Sequence, residues 1–121
     1  MSKVLLVEDD PSLLHLMESY LEDGGHTVIA TTDAKKVMEQ AVKHKPDIII
    51  TDIVMPGMSG FELCRSLKKD PVTGSIPVMM CSSKNQEIDR LWGMKQGADA
   101  YLTKPFSREK LLRTVNLVVN E

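Results

Sequence analysis

Four apolar runs of this sequence each end on residues that can do chemistry. KVLLV (residues 3–7) runs into the acids Glu8, Asp9 and Asp10, and DIIIT (47–51) runs into Asp52. IPVMMC (76–81) is followed by Ser82 and Ser83, and the run from Asp99 to Thr103 by Lys104. Carboxylates, a hydroxyl and an ammonium are groups that bind a hard divalent cation and steady the oxygens of a phosphoryl group. On the stretch 47–60 alone, DIIITDIVMPGMSG, two readings of Asp52 stand side by side. Either it caps the turn at Met55-Pro56-Gly57, or it is chemically used. The choice depends on whether the chain brings the four run ends together.

Strand-like and helix-like segments alternate throughout. After strand 3–7, Asp10-Pro11 supplies an N-cap and a first-turn proline. Leu13, Leu16, Met17, Tyr20 and Leu21 then form one inward face, and Gly24-Gly25 stops the helix. Residues 27–30, TVIA, make a second strand. A helix over about 33–44 turns Val37, Met38, Ala41 and Val42 inward, carries Lys43 to Lys45 at its negative end and stops at Pro46. The β-branched run before Asp52 reads as a buried central strand. Ser59 and Glu62 have capping-box spacing ahead of a helix with Phe61, Leu63 and Leu67 inward, and Asp70-Pro71 and Gly74 mark its exit. After the fourth strand (76–81), Ser83 and Gln86 cap a helix carrying Ile88, Leu91 and Trp92 and closed by Gly97. Trp92 is expected to be a partly buried packing residue. Gly93, mid-helix, costs about 1 kcal/mol relative to alanine and makes this helix easier to reshape. The fifth strand, Asp99 to Thr103, is broken by Lys104-Pro105. Ser107 then caps a last helix burying Leu111, Leu112, Val115, Val118 and Val119.

Five strand–helix repeats with short connections predict an α/β fold: a doubly wound, flavodoxin-like, five-stranded parallel sheet in the order 2-1-3-4-5. The 121 residues, 42% hydrophobic and 26% charged, suit one domain spanning 1–121, with no linker to an output domain. A formal net charge of −2 offers no footprint for nucleic acid. No apolar run reaches membrane-spanning length, and the amino terminus meets acids too early for a signal peptide, so a cytoplasmic location without membrane insertion is expected. Cys64 and Cys81 match no zinc spacing and are expected packed and reduced, and His15, His26 and His44 are too scattered to build a metal site.

In that strand order the ends of strands 1 and 3 are neighbours at the topological switch point, where open α/β sheets place their ligands. Glu8 and Asp9 therefore come close to Asp52, with Ser82 and Lys104 on the same edge. Two carboxylates about 5 Å apart at an effective dielectric near 20 repel by roughly 3 kcal/mol, so the cluster calls for a cation. Hard oxygen ligands that leave room for water suit Mg2+. With that charge in place Asp52 becomes a carboxylate nucleophile toward a phosphoryl group, held by the metal, Ser82 and Lys104.

From end to end, in KVLLVEDDP, PDIIITDIVMPGMSGFEL, IPVMMCSS and GADAYLTKPF, the chain resembles a response-regulator receiver domain of the CheY-like family. The resemblance implies that Asp52 is the phosphoacceptor and that a histidine kinase or histidine phosphotransfer protein is the donor. It implies that Asp9, Asp52 and the backbone carbonyl of Val54 bind the metal directly and Glu8 mainly through water, while Asp10 caps the helix. Lys104 would contact the phosphoryl group ahead of a cis proline at Pro105. Ser82 and Tyr101 would form a switch pair in which the hydroxyl moves to the phosphate and the ring turns inward. Val54 and Lys84 stand where the family tunes dephosphorylation: valine cannot orient a water, and Lys84 can cover its approach. Glu8 stands where aspartate is frequent, and Ser82 where threonine is frequent. The segment QEIDRLWGMKQGADAYLTKPF is also similar to stand-alone receivers of type IV pilus motility and phototaxis systems.

The expected activity is thus a phosphorylation-controlled signalling module, a monomer and not an enzyme acting on other substrates. A separate output protein would read its fourth helix, fifth strand and fifth helix. A flavodoxin-like flavin carrier shares the strand order, but Glu8-Asp9-Asp10 would repel a flavin phosphate, and such a protein would be coloured. A phosphate-independent binding module would have no use for the full set of acids, serine and lysine.

Overall fold

In the computed structural model, which describes residues 2–120, five parallel strands make one sheet. They are β1 (Lys3–Val7), β2 (Thr27–Thr31), β3 (Ile48–Thr51), β4 (Val78–Ser82) and β5 (Ala100–Thr103), in the order β2-β1-β3-β4-β5. The connections carry α1 (Pro11–Asp23), α2 (Val37–His44), α3 (Gly60–Lys69), α4 (Glu87–Lys95) and α5 (Arg108–Val119), with a 3-10 turn at Ala34–Lys36 before α2. The central strands read as unbroken apolar runs because both of their faces are covered. Leu5, Val7, Ile49, Val78 and Met80 pack against Val37 and Ala41 of α2 and Leu63, Cys64 and Leu67 of α3. On the other face Val4, Leu6, Ile48, Ile50, Met79 and Cys81 pack against Met17 and Leu21 of α1 and Leu111 and Val115 of α5. The period-two alternation along each strand divides these side chains between the two layers. In register, Val7 sits beside Thr51, and Ser82 beside Thr103. Four strand ends therefore line one edge.

Local chemistry sets the helix starts. The Asp10 carboxylate accepts from the Ser12 N–H at 3.0 Å, ahead of Pro11. Ser59 Oγ accepts from Glu62 N–H at 3.2 Å and Ser107 Oγ from Lys110 N–H at 3.1 Å. Several expectations need correction. The fourth strand runs over Val78–Ser82, because Pro77 has no N–H to give a ladder. Gln86, boxed with Asp89, starts α4, whereas the Ser83 side chain takes no part in the cap. The Glu62 carboxylate meets the Ser59 hydroxyl at 3.4 Å, so only half of the expected box forms. Leu16 and Val42, expected inward, are 46% and 43% exposed. Trp92, expected partly buried, is 50% exposed, with the Lys95 ammonium 5.5 Å from its ring centroid. Helix α4 meets the sheet through Gly93, whose missing Cβ would lie 2.9 Å from Met80 Sδ and 3.3 Å from Tyr101 Cδ2. That glycine admits a close approach, which is a stronger reason for it than an easily reshaped helix.

Candidate functional site

The edge formed by the carboxyl ends of β1, β3, β4 and β5 gathers the chemistry. Glu8, Asp9 and Asp52 each offer a carboxylate oxygen, and the three oxygens lie within 4.8 Å of one another. Lys104 Nζ donates to Glu8 Oε1 at 2.6 Å and to Asp52 Oδ2 at 2.9 Å. Glu8 is 3% exposed and the Asp52 side chain 12%. The other Asp52 oxygen, Oδ1, accepts from the Ile53 N–H at 2.6 Å and more loosely from the Val54 N–H at 3.4 Å. Burial works against the Lys104 ammonium, but the carboxylates of Glu8 and Asp52 outweigh it and hold its pKa above the ordinary lysine range. Burial also pushes the Glu8 carboxyl up, opposed by Lys104 and by the Asp10 N–H.

One ammonium offsets only one of three clustered carboxylates, so the site keeps an excess of negative charge. Three hard oxygens at this spacing, with Asp9 only partly buried, fit a small divalent cation that retains water. The donor set contains no thiolate or imidazole that would favour zinc. Cys81, on β4 and packed toward α1 and α5, is free, and burial pushes its thiol up to about 12. Cys64 is likewise free, its thiol pushed by burial up to about 11.

Ser82 and Tyr101 lie on adjoining strands. Ser82 is fully buried and its Oγ accepts from the Lys84 N–H at 3.2 Å. The Tyr101 ring stands inward, 7% exposed, and its hydroxyl donates to the Lys84 carbonyl at 2.7 Å. The Arg90 guanidinium sits 5.7 Å from the ring centroid, and burial first, then the charge of Asp89, raises the phenol's pKa. Val54, 63% exposed, stands two residues past Asp52, and Lys84 is exposed two residues past Ser82. The peptide joining Lys104 to Pro105 is cis. Beside Lys104 a groove of about 380 Å³ opens between α1 and the Pro105–Phe106 segment. Leu16 lines this groove, which accounts for its exposure.

All the residues singled out by spacing thus surround one edge. Two features were missed. Gly60 lets α3 start against the floor of the site: a Cβ there would overlap the Asp52 carbonyl oxygen and lie 2.8 Å from Ile53 Cα. The signal was present in a glycine directly after an N-cap serine. The direct pair between Glu8 and Lys104, 96 residues apart, had no local signal.

The profile of the response regulator receiver domain matches residues 4–116. The chain is 42% identical over 119 residues to Protein PilH of Pseudomonas aeruginosa, covering 98% of each. It is 33% identical to the alkaline phosphatase synthesis transcriptional regulatory protein PhoP of Bacillus subtilis, of which it spans 48%. Among solved structures, the chemotaxis response regulator CheY4 of Vibrio cholerae superposes with a TM-score of 0.91 at 32% identity, over 98% of both chains. A putative response regulator from Chloroflexus aurantiacus superposes with a TM-score of 0.94 at 28% identity, over 99% of this chain and 98% of the other.

Proposed function

The chain belongs to the response regulator receiver domain family, and from that premise we propose that it takes a phosphoryl group on Asp52 from a histidine kinase or a histidine phosphotransfer protein. The observation that carries this reading is the convergence of Glu8, Asp9, Asp52 and Lys104, from three strands, within hydrogen-bond and metal-ligand reach. A carboxylate oxygen of Asp52 attacks the phosphorus, and the phosphorus–nitrogen bond of the donor's phosphohistidine breaks. The leaving imidazole nitrogen keeps the electron pair and takes a proton. Asp9, Asp52 and the Val54 carbonyl would hold Mg2+, with Glu8 near it. Bound there, the ion would supply positive charge against the oxygens of the transferring group. Ser82 and Lys104 take the phosphoryl oxygens that face β4 and β5. The chain in this sense promotes its own phosphorylation and dephosphorylation.

The readout is the surface of α4, β5 and α5. Ile88, Leu91 and Trp92 lie 68%, 59% and 50% exposed along α4, and Gly93 seats the same helix on the Tyr101 ring. A charged acceptor drawing the Ser82 hydroxyl away changes the Lys84 segment that Tyr101 also grips. The likeness to PilH and to the chemotaxis response regulator CheY4 supports a role in motility or taxis signalling, and we propose further that the chain acts in the cytoplasm as a monomer read by a separate output protein. Amide NMR with beryllofluoride and Mg2+ tests the reading. Shifts should cluster at the Asp52 loop and across residues 82–106. Changes centred on α1 and α2 instead would sink it.

A further inference from the structure

We infer that Glu8 is the anchor of Lys104, a positioning residue for phosphoryl transfer to Asp52 more than a holder of the metal. This rests on the phosphoacceptor reading of Asp52 above. Both Glu8 carboxylate oxygens are already engaged by the chain itself. Oε2 accepts from the Asp10 N–H at 3.1 Å, and Oε1 accepts from Lys104 Nζ at 2.6 Å, the shorter of the two ammonium contacts. The side chain is 3% exposed, so water does not compete freely for it. Asp9 differs: among the described residues no hydrogen bond of the chain ends on its carboxylate, which leaves it free for a cation.

The side-chain length decides the matter. An aspartate at position 8 would end about 1.5 Å short, one carbon–carbon bond. It could not keep the Asp10 amide and also reach the ammonium. Glutamate does both, and the difference has a mechanistic use. Lys104 donates through three N–H groups, two of which are engaged by Glu8 and Asp52. When Asp52 becomes an acyl phosphate its Oδ2 loses charge, and the negative charge moves outward onto the phosphoryl oxygens. Lys104 must follow. Glu8 keeps one N–H engaged throughout, so the ammonium pivots from the Asp52 oxygen to a phosphoryl oxygen without a buried, unpartnered charge in between. The long lysine is thereby aimed before the donor arrives, which is a proximity contribution to transfer.

Glu8→Asp keeps the charge and removes the reach, and Glu8→Gln keeps the length and removes the charge. Three measurements separate the roles. In the metal-free protein, ammonium proton–nitrogen NMR, assigned with Lys104→Arg, should show a slowly exchanging Lys104 signal. That signal should vanish in Glu8→Asp and weaken in Glu8→Gln. Calorimetric Mg2+ affinity of Glu8→Asp should stay within about threefold of wild type, whereas loss of a metal-orienting group costs about 10–100-fold. Labelling by acetyl phosphate at saturating Mg2+ should slow about tenfold in Glu8→Asp, as expected for a misplaced positioning group. Survival of the ammonium signal in Glu8→Asp overturns the inference, and so does an unchanged labelling rate or a tenfold loss of Mg2+ affinity. If Glu8→Asp does not fold, the signal and labelling rate of Glu8→Gln decide in its place, both unchanged being the contrary result. A wild type that takes no label defeats the phosphoacceptor reading instead, while the ammonium and Mg2+ arms still decide what Glu8 holds.

Discussion

Hydrolysis of a phosphoryl group on Asp52 requires a water in line with the phosphorus–oxygen bond that breaks, and we propose that two exposed side chains, Val54 and Lys84, flank that approach. Val54 cannot orient a water, and Lys84, held at its backbone by Ser82 Oγ and the Tyr101 hydroxyl, can lie across the entry. The phosphorylated state should therefore last minutes or longer. Val54→Asn and Lys84→Glu should each shorten it about tenfold by restoring water positioning or opening the entry. Decay after donor removal, followed on Phos-tag gels, checks this; loss within seconds in wild type, or no acceleration in either variant, contradicts it. At this scale the sequence was legible wherever a reactive residue closed a strand, because strand ends and sheet order together fix an address. It was silent on pairing. Nothing local to Glu8 or Lys104 says that one will reach the other at 2.6 Å.

The elements that carry these residues are held by close approaches as much as by apolar faces. Gly60 begins α3 with its N–H on the Ile53 carbonyl at 2.7 Å, and a Cβ there would overlap the Asp52 carbonyl. Backbone cannot give way as a flexible side chain does. Gly60→Ala should destabilise the protein by about 2–3 kcal/mol through overpacking and disturb the loop that carries Asp52. Urea unfolding measures the first effect and amide shifts at Ile53 and Val54 the second; a midpoint within error of wild type would refute it. Helix starts were readable because caps are local: Asp10, Ser59 and Ser107 all act within three residues. Inward faces were less so. Helical spacing assigned Leu16 and Val42 to the core. The short α2 buries only Val37 and Ala41, and Leu16 borders the groove beside Lys104. Helix α4 contacts the sheet through a glycine, so its large side chains had to face outward.

Across the whole molecule, the candidate site lies at one edge of the sheet and a buried histidine at the other. At the edge away from the site, between α1 and β2, His26 is buried, and neither ring nitrogen has a hydrogen-bond partner among the described residues. Burial lowers its pKa below the ordinary 6.5. Above that value the ring is neutral in folded and unfolded chains alike. As pH falls through 6.5 toward the depressed folded value, the unfolded chain binds the proton first, so stability is lost on the acid side. The urea midpoint should fall between about pH 7.5 and about pH 5.5, and His26→Leu should reduce that fall; an identical fall in both proteins would show that other groups cause it. The five-stranded order was legible as a whole because alternating elements leave few topologies, whereas a buried histidine leaves no mark on periodicity. At the other edge, intact-mass spectrometry after incubation with acetyl phosphate tests phosphoryl transfer to Asp52 most directly. With Mg2+ the wild type should gain one phosphoryl group, and Asp52→Asn or wild type in EDTA should gain none. Full labelling of Asp52→Asn, or labelling undiminished by EDTA, would contradict the account.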